Sequence, residues 1–128
     1  MSKPILCLDF DGVIHSYTSG WKGAAVIPDP PVPGAIAFLR EAAKHFRVAI
    51  FSSRSHQPGG LEAMQSWLIY NSEMGFKDAI CNEIEWPIEK PAAFVTLDDR
   101  AITFDGTWPM IDSLLAFKPW HQKLRVVP

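Results

Sequence analysis

Short apolar runs that stop abruptly at polar residues constrain this chain most. Ile5 to Asp9, Arg47 to Phe51 and Ala93 to Leu97 are such runs; the first closes on an acid, the second enters Ser52-Ser53-Arg54 and the third meets Asp98-Asp99. Runs this short fit strands hidden on both faces better than buried helices. Between the first two, Ile36, Leu39, Ala43 and Phe46 recur at spacings of three and four, with Pro33 placed where a helix can start. After Pro58-Gly59-Gly60, the residues Leu61, Met64, Trp67 and Leu68 mark a second helix ending near Gly75. Asp78 to Cys81 reads as a third strand, which makes Ala93 to Leu97 the fourth. Trp108 to Phe117 reads as a last helix, with Pro109 near its first turn and Pro119 past its end. Strands alternating with helices predict an α/β fold, a parallel central sheet covered on both faces in three layers.

With 128 residues, one domain is the expectation, placed at 1–118 with 119–128 as a tail or strap. Gly12 to Gly34 carries Pro28, Pro30, Pro31 and Pro33, so it should be loop or a small hairpin. The formal net charge of −2 offers no global basic field for nucleic acid or an anionic membrane. Cys7 and Cys81 lie in apolar runs without a C-x-x-C, which suits buried small hydrophobes rather than a disulfide framework. No apolar stretch nears the ~20 residues that span a bilayer, and no secretory leader is visible. A cytoplasmic location is therefore the expectation.

In open parallel sheets, ligands bind beyond the carboxyl ends of the strands. Asp9, Asp11, Ser52, Asp98 and Asp99 all fall there, and Lys90 lies just before the fourth strand. Carboxylates gathered at one edge repel unless a cation neutralises them. Hard oxygen donors suit Mg²⁺, which takes a few carboxylates and often a substrate phosphate. A hydroxyl and a lysine beside it suit phosphate oxygens.

These residues carry a resemblance. Leu8-Asp9-Phe10-Asp11-Gly12-Val13 resembles the first motif of the haloacid dehalogenase superfamily, D-x-D-G-[T/V] after an apolar strand. Val48 to Ser52 resembles the second, Lys90 fits the third-motif lysine, and Phe94 to Asp99 resembles the fourth. The resemblance implies a Rossmann-like three-layer fold and a Mg²⁺-dependent phosphohydrolase. Asp9 would be the nucleophile that becomes an aspartyl-phosphate. Asp11 would be the general acid and base, its backbone carbonyl helping to hold the metal. Ser52, or Ser53 if the strand ends one residue later, would bind a phosphate oxygen. Lys90 would offset charge, and Asp98 and Asp99 would hold the metal with Asp9 and Asp11. Ser53, Arg54 and Arg100 would touch substrate. Ser52-Ser53-Arg54 and Asp98-Asp99-Arg100 are similar to small phosphatases of the polynucleotide-kinase type, so a nucleic-acid end joins the candidate substrates. Residues 12–34 are too few for a large cap domain, which implies an open site for a bulky phosphomonoester. The segment from Cys81 to Lys90 is short for the helix that usually carries the lysine.

Each feature has a plainer reading. D-x-D-G alone is a strand end and a turn. Arg54 and Arg100 can pair with nearby acids. His15 and His56 read as polar loop histidines, Asp105 as an outer-shell acid or a turn residue, and Trp21, Trp86 and Trp108 as packing residues. Competing functions are a phosphate-accepting receiver domain, disfavoured by the order of its acids and lysine, and a catalytically weak phosphate-binding or regulatory module. Mutase chemistry would need a cap, and dehalogenases typically lack the second Asp of D-x-D.

Overall fold

The computed structural model describes residues 3–72 and 80–123. Its centre is a three-stranded parallel sheet of β1 (Ile5–Leu8), β2 (Arg47–Ile50) and β3 (Val95–Leu97), in the order β2-β1-β3. Leu6 sits opposite Val48 on one side and Val95 on the other, and the same register carries Leu8 to Ile50 and Leu97. Beyond the strand ends, the Asp9 amide donates to the Leu97 carbonyl at 3.0 Å and the Phe51 amide to the Leu8 carbonyl at 3.1 Å. The ladder thus runs up to the acid that follows β1.

Helix α1 (Ala35–Ala42) starts after Gly34, and helix α2 (Gly60–Asn71) after Gly59. Their apolar stripes bury Leu39 and Ala42 from α1, and Met64, Trp67 and Leu68 from α2. These meet Leu6, Leu8, Val48 and Ile50 of the sheet and Phe10 and Ile14 beyond it in one core. Fully burying side chains of this size stabilises by about 1.5–3 kcal/mol each. The chain leaves β1 for β2, then crosses back over β1 to reach β3. This reversal opens a crevice at the carboxyl ends of β1 and β3, where such sheets take ligands.

The expected third strand is different. Ile80–Glu83 is a 3-10 turn with Ile80 and Cys81 buried; 73–79, with the Gly75 end expected for α2, lies outside the described residues. Strand-like pairing occurs instead at Glu85, whose amide donates to the Val48 carbonyl at 2.8 Å and whose carbonyl accepts from the Ile50 amide at 3.0 Å. Pro87, which has no amide to donate, follows two residues later. Only Val95–Leu97 of Ala93 to Leu97 is strand, and all three residues are exposed.

The helix expected over Trp108 to Phe117 shrinks to α3 (Ile111–Leu115), none of it buried. Short helices draw their stability from packing an apolar face, and among the described residues no α3 side chain is buried. The Phe104 and Trp108 rings meet at a tilt, centroids 4.8 Å apart, in the same exposed arm. A final turn, α4 (Trp120–Lys123), returns to the sheet. Among the described residues, no helix is long and apolar enough to cross a membrane.

Candidate active site at the carboxyl ends of β1 and β3

Asp9, Asp98 and Asp99 converge from the ends of β1 and β3, each with a carboxylate oxygen within 4.8 Å of the others. Asp98 is exposed; the Asp99 side chain is only 2 % exposed. Asp9 accepts a hydrogen bond from the Phe10 amide at 2.8 Å. Burial pushes its carboxyl up to about 8, a hydrogen bond with Asp99 and the charges of Asp98 and Asp99 push the same way, and the Phe10 bond resists. The fold therefore holds three acids where, without a cation, one must keep its proton. Removing that proton and supplying a small hard cation satisfies all three. The donor set is all oxygen, which fits Mg²⁺.

A cleft of about 260 Å³ opens beside Asp9, lined by Cys7, Phe51, Lys90, Thr96, Asp98 and Ala101. The structure brings Lys90, drawn from an irregular segment, to the same cleft as Asp9. Lys90 is the one basic residue among those that line the cleft, and it is exposed.

Asp11 turns elsewhere. Its carboxylate accepts from Arg54 Nε at 2.9 Å and from His15 Nδ1 at 2.9 Å, and it contributes no oxygen to the three-acid cluster. The Asp29 amide donates to His15 Nε2 at 3.1 Å, so the His15 proton sits on Nδ1, facing Asp11. Burial raises the Asp11 carboxyl, but the bonds from His15 and Arg54 outweigh it and hold the group below the usual carboxylate range.

Arg54 is fully buried. Besides Asp11, its Nη1 donates to the carbonyls of Gly23 and Ala24 at 2.8 Å and of Val26 at 3.1 Å, and the Trp21 ring lies 4.7 Å from the guanidinium carbon. Its Nη2 has no acceptor among the described residues. This expected substrate contact is instead a clamp that binds the loop of residues 12–34 over Asp11. The close approach needs Gly60, because a Cβ there would overlap the Arg54 carbonyl.

Ser52 is buried; its amide donates to Ser55 Oγ at 3.0 Å and its Oγ accepts from the Arg54 amide at 3.2 Å, so it shapes the turn that launches Arg54. Ser53 is exposed, its carbonyl taken by Gln57. Arg100, with a side chain 55 % exposed, stands 4.0 Å from Asp99, while its amide donates to Asp98.

Sequence reasoning missed four contributors, two of them from α4. His15 is a buried partner of Asp11, and the i,i+4 spacing of the two was the available signal. Tyr17, with a φ of 62°, packs edge-on to His15 and His121. From α4, Trp120 Nε1 donates to the Gly12 carbonyl at 2.7 Å and His121 Nε2 lies 2.9 Å from Asp99 Oδ2. Nothing local in the sequence announces contacts across 108 and 22 residues. The expected tail thus contains a docked turn, at least through the described residue 123.

No protein-family model, curated protein or solved structure matches this chain.

Proposed function

We propose that this protein is a Mg²⁺-dependent phosphomonoester hydrolase with the haloacid dehalogenase architecture, working through a phosphorylated Asp9. The observation that carries the reading is the convergence of Asp9, Asp98 and Asp99 at the sheet's reversal crevice, with Asp9 held at about 8 beside a cleft that Lys90 also lines. The four motif-like segments in their expected order support it.

A bound Mg²⁺ would neutralise the acids and draw charge from the phosphoryl oxygens. Asp9, deprotonated in that setting, attacks phosphorus through a carboxylate oxygen. The bond to the ester oxygen breaks, and the leaving oxygen departs as its anion or takes a proton from Asp11. Lys90 offsets the charge that gathers on the phosphoryl group, as phosphoryl transfer demands. Water then attacks the aspartyl-phosphate, gives up a proton and releases inorganic phosphate. Asp11, held ionised by Arg54 and His15, is ready to take the water's proton. To protonate the leaving oxygen it must first carry a proton, against the pull of Arg54. The first step therefore favours leaving groups that need little protonation. Aryl phosphates accordingly come first, and bulky alkyl esters, nucleic-acid ends among them, are substrates that require Asp11 to arrive protonated.

The commitment of Asp11 to Arg54 and His15 also favours a second reading, a phosphate-binding module with weak turnover. Both readings meet one assay. Phosphate release is measured from aryl phosphates, nucleotides and 3′- or 5′-phosphorylated oligonucleotides, with Mg²⁺, with EDTA and with Asp9→Asn. Release that needs Mg²⁺ and disappears in Asp9→Asn supports the enzyme. Tight phosphate binding with no release from any substrate favours the module.

A further inference from the structure

The turn α4 makes two directed contacts with the candidate site. The indole N–H of Trp120 reaches the Gly12 carbonyl at 2.7 Å, and the His121 imidazole reaches Asp99 at 2.9 Å. The His121 side chain is 8 % exposed and the Asp99 side chain 2 %. The Tyr17 ring meets His121 edge-on at 6.1 Å, and the Trp120 ring meets it at 5.8 Å. Opposite them lies Gly12, with a φ of 82°, where a Cβ would overlap the Asp99 carboxylate and stand 3.0 Å from His121 Nε2. Three distant segments thus close on one carboxylate.

An ionised carboxylate only accepts hydrogen bonds, so the proton of this contact sits on His121 Nε2. The bond takes one lone pair of Asp99 Oδ2, and the remaining ones are left for Asp9, for Arg100 Nε at 4.0 Å from the same oxygen, or for a cation. One N–H therefore fixes the carboxylate's orientation while leaving it free to serve Asp9 or a cation. Such outer partners orient a metal's carboxylates, and removing them typically weakens metal affinity or activity by about 10–100-fold. Asp98, by contrast, is exposed and lies at the chain's surface.

We infer that His121 is a positioning residue for Asp99, and that Trp120 locks α4 onto the Gly12 carbonyl to hold the imidazole in place. The inference rests on the metal site proposed above and extends it 22 residues past the last motif-like segment. It gives α4 a task in ligand geometry, beyond covering the sheet.

The test is calorimetric titration of the full chain with Mg²⁺ and with Mn²⁺, together with thermal unfolding in EDTA. His121→Ala should bind either ion about 10–100-fold more weakly than the wild type, while its melting temperature in EDTA stays close to the wild-type value. His121→Gln, whose side-chain amide can present an N–H to the same oxygen, should recover most of the affinity. Trp120→Phe, which loses the bond to Gly12, should fall between the two. Should His121→Ala fail to fold, His121→Gln against the shorter His121→Asn carries the comparison, with Asn the weaker binder. Equal affinity in the wild type and the variants lacking the donor overturns the inference and leaves the metal site standing. A wild-type chain that takes up neither ion overturns the metal site, and the inference falls with it.

Discussion

Asp9→Asn should stabilise the metal-free protein, and increasingly so as the pH rises. An ordinary aspartate loses its proton near 3.9, whereas the folded chain holds Asp9 to about 8. Between those values the folded state binds one proton more than the unfolded state. Stability therefore falls with rising pH across that window: the contribution is fully present below about 4 and is lost as the pH climbs through about 8. A displacement of about four units at about 1.4 kcal/mol each sets an upper limit of about 5–6 kcal/mol. Water entry and side-chain rearrangement reduce such a cost, so the loss in solution should be about 2–5 kcal/mol. Asparagine keeps the shape and removes the ionisation. The assay is urea unfolding in EDTA at pH 5, 7 and 9. Relative to Asp9→Asn, the wild type should lose those few kcal/mol between pH 5 and pH 9, and Mg²⁺ at pH 8 should restore them. Parallel pH profiles for the two proteins would refute the claim that the fold compresses two further acids against Asp9.

Other perturbations test the surroundings. Arg54→Ala, which strands the Asp11 charge and three loop carbonyls, should cost about 3–5 kcal/mol in denaturant unfolding, and Arg54→Lys should not restore it, because an ammonium lacks the planar fork. Gly12→Ala should cost at least about 1–2 kcal/mol from the left-handed backbone alone, and calorimetry should also show weaker Mg²⁺ binding as the new methyl displaces Asp99. Among phosphomonoesters, the rate should fall steeply as the leaving group becomes more basic, since Asp11 is held ionised; steady-state rates for a series from nitrophenyl to alkyl phosphates check this, and a flat series would show that Asp11 arrives protonated. Lys90→Ala should lower phosphate release by at least about tenfold with an unchanged unfolding midpoint.

Much of this was legible in the order of residues. Apolar runs ending abruptly at polar residues located β1, β2 and β3, and helical spacing located α1 and α2; for β1, β2, α1 and α2 local pattern and tertiary burial agree. The agreement failed where context decides. Ile80 and Cys81 are apolar and buried, as in a strand, yet they sit in a 3-10 turn, and the pairing with β2 falls on the charged Glu85. Trp108 to Phe117 has helical pattern, yet none of α3 is buried among the described residues, and only a short piece coils. The acids at the strand ends were readable as a group. That Asp11 would leave the group for Arg54 was not, because the choice depends on a loop folding back across some 30 residues.

The single guanidinium of Arg54 also couples events that would otherwise be separate. The carbonyls of Gly23, Ala24 and Val26 and the Asp11 carboxylate share one donor group. The same loop is stitched by Ser16 to Pro30, Val32 to Ile14 and Ser19 to Asp29. Peeling away part of it would leave a cation in an apolar interior with its acceptors gone. The segment is thus built to detach wholesale or stay shut, and its protected amides should exchange with deuterium as one block at one common rate. In that detached form Asp11 would keep Arg54 but lose the His15 hydrogen bond that also holds its carboxyl down, so a fluctuation of the backbone and the proton affinity of one acid become a single event.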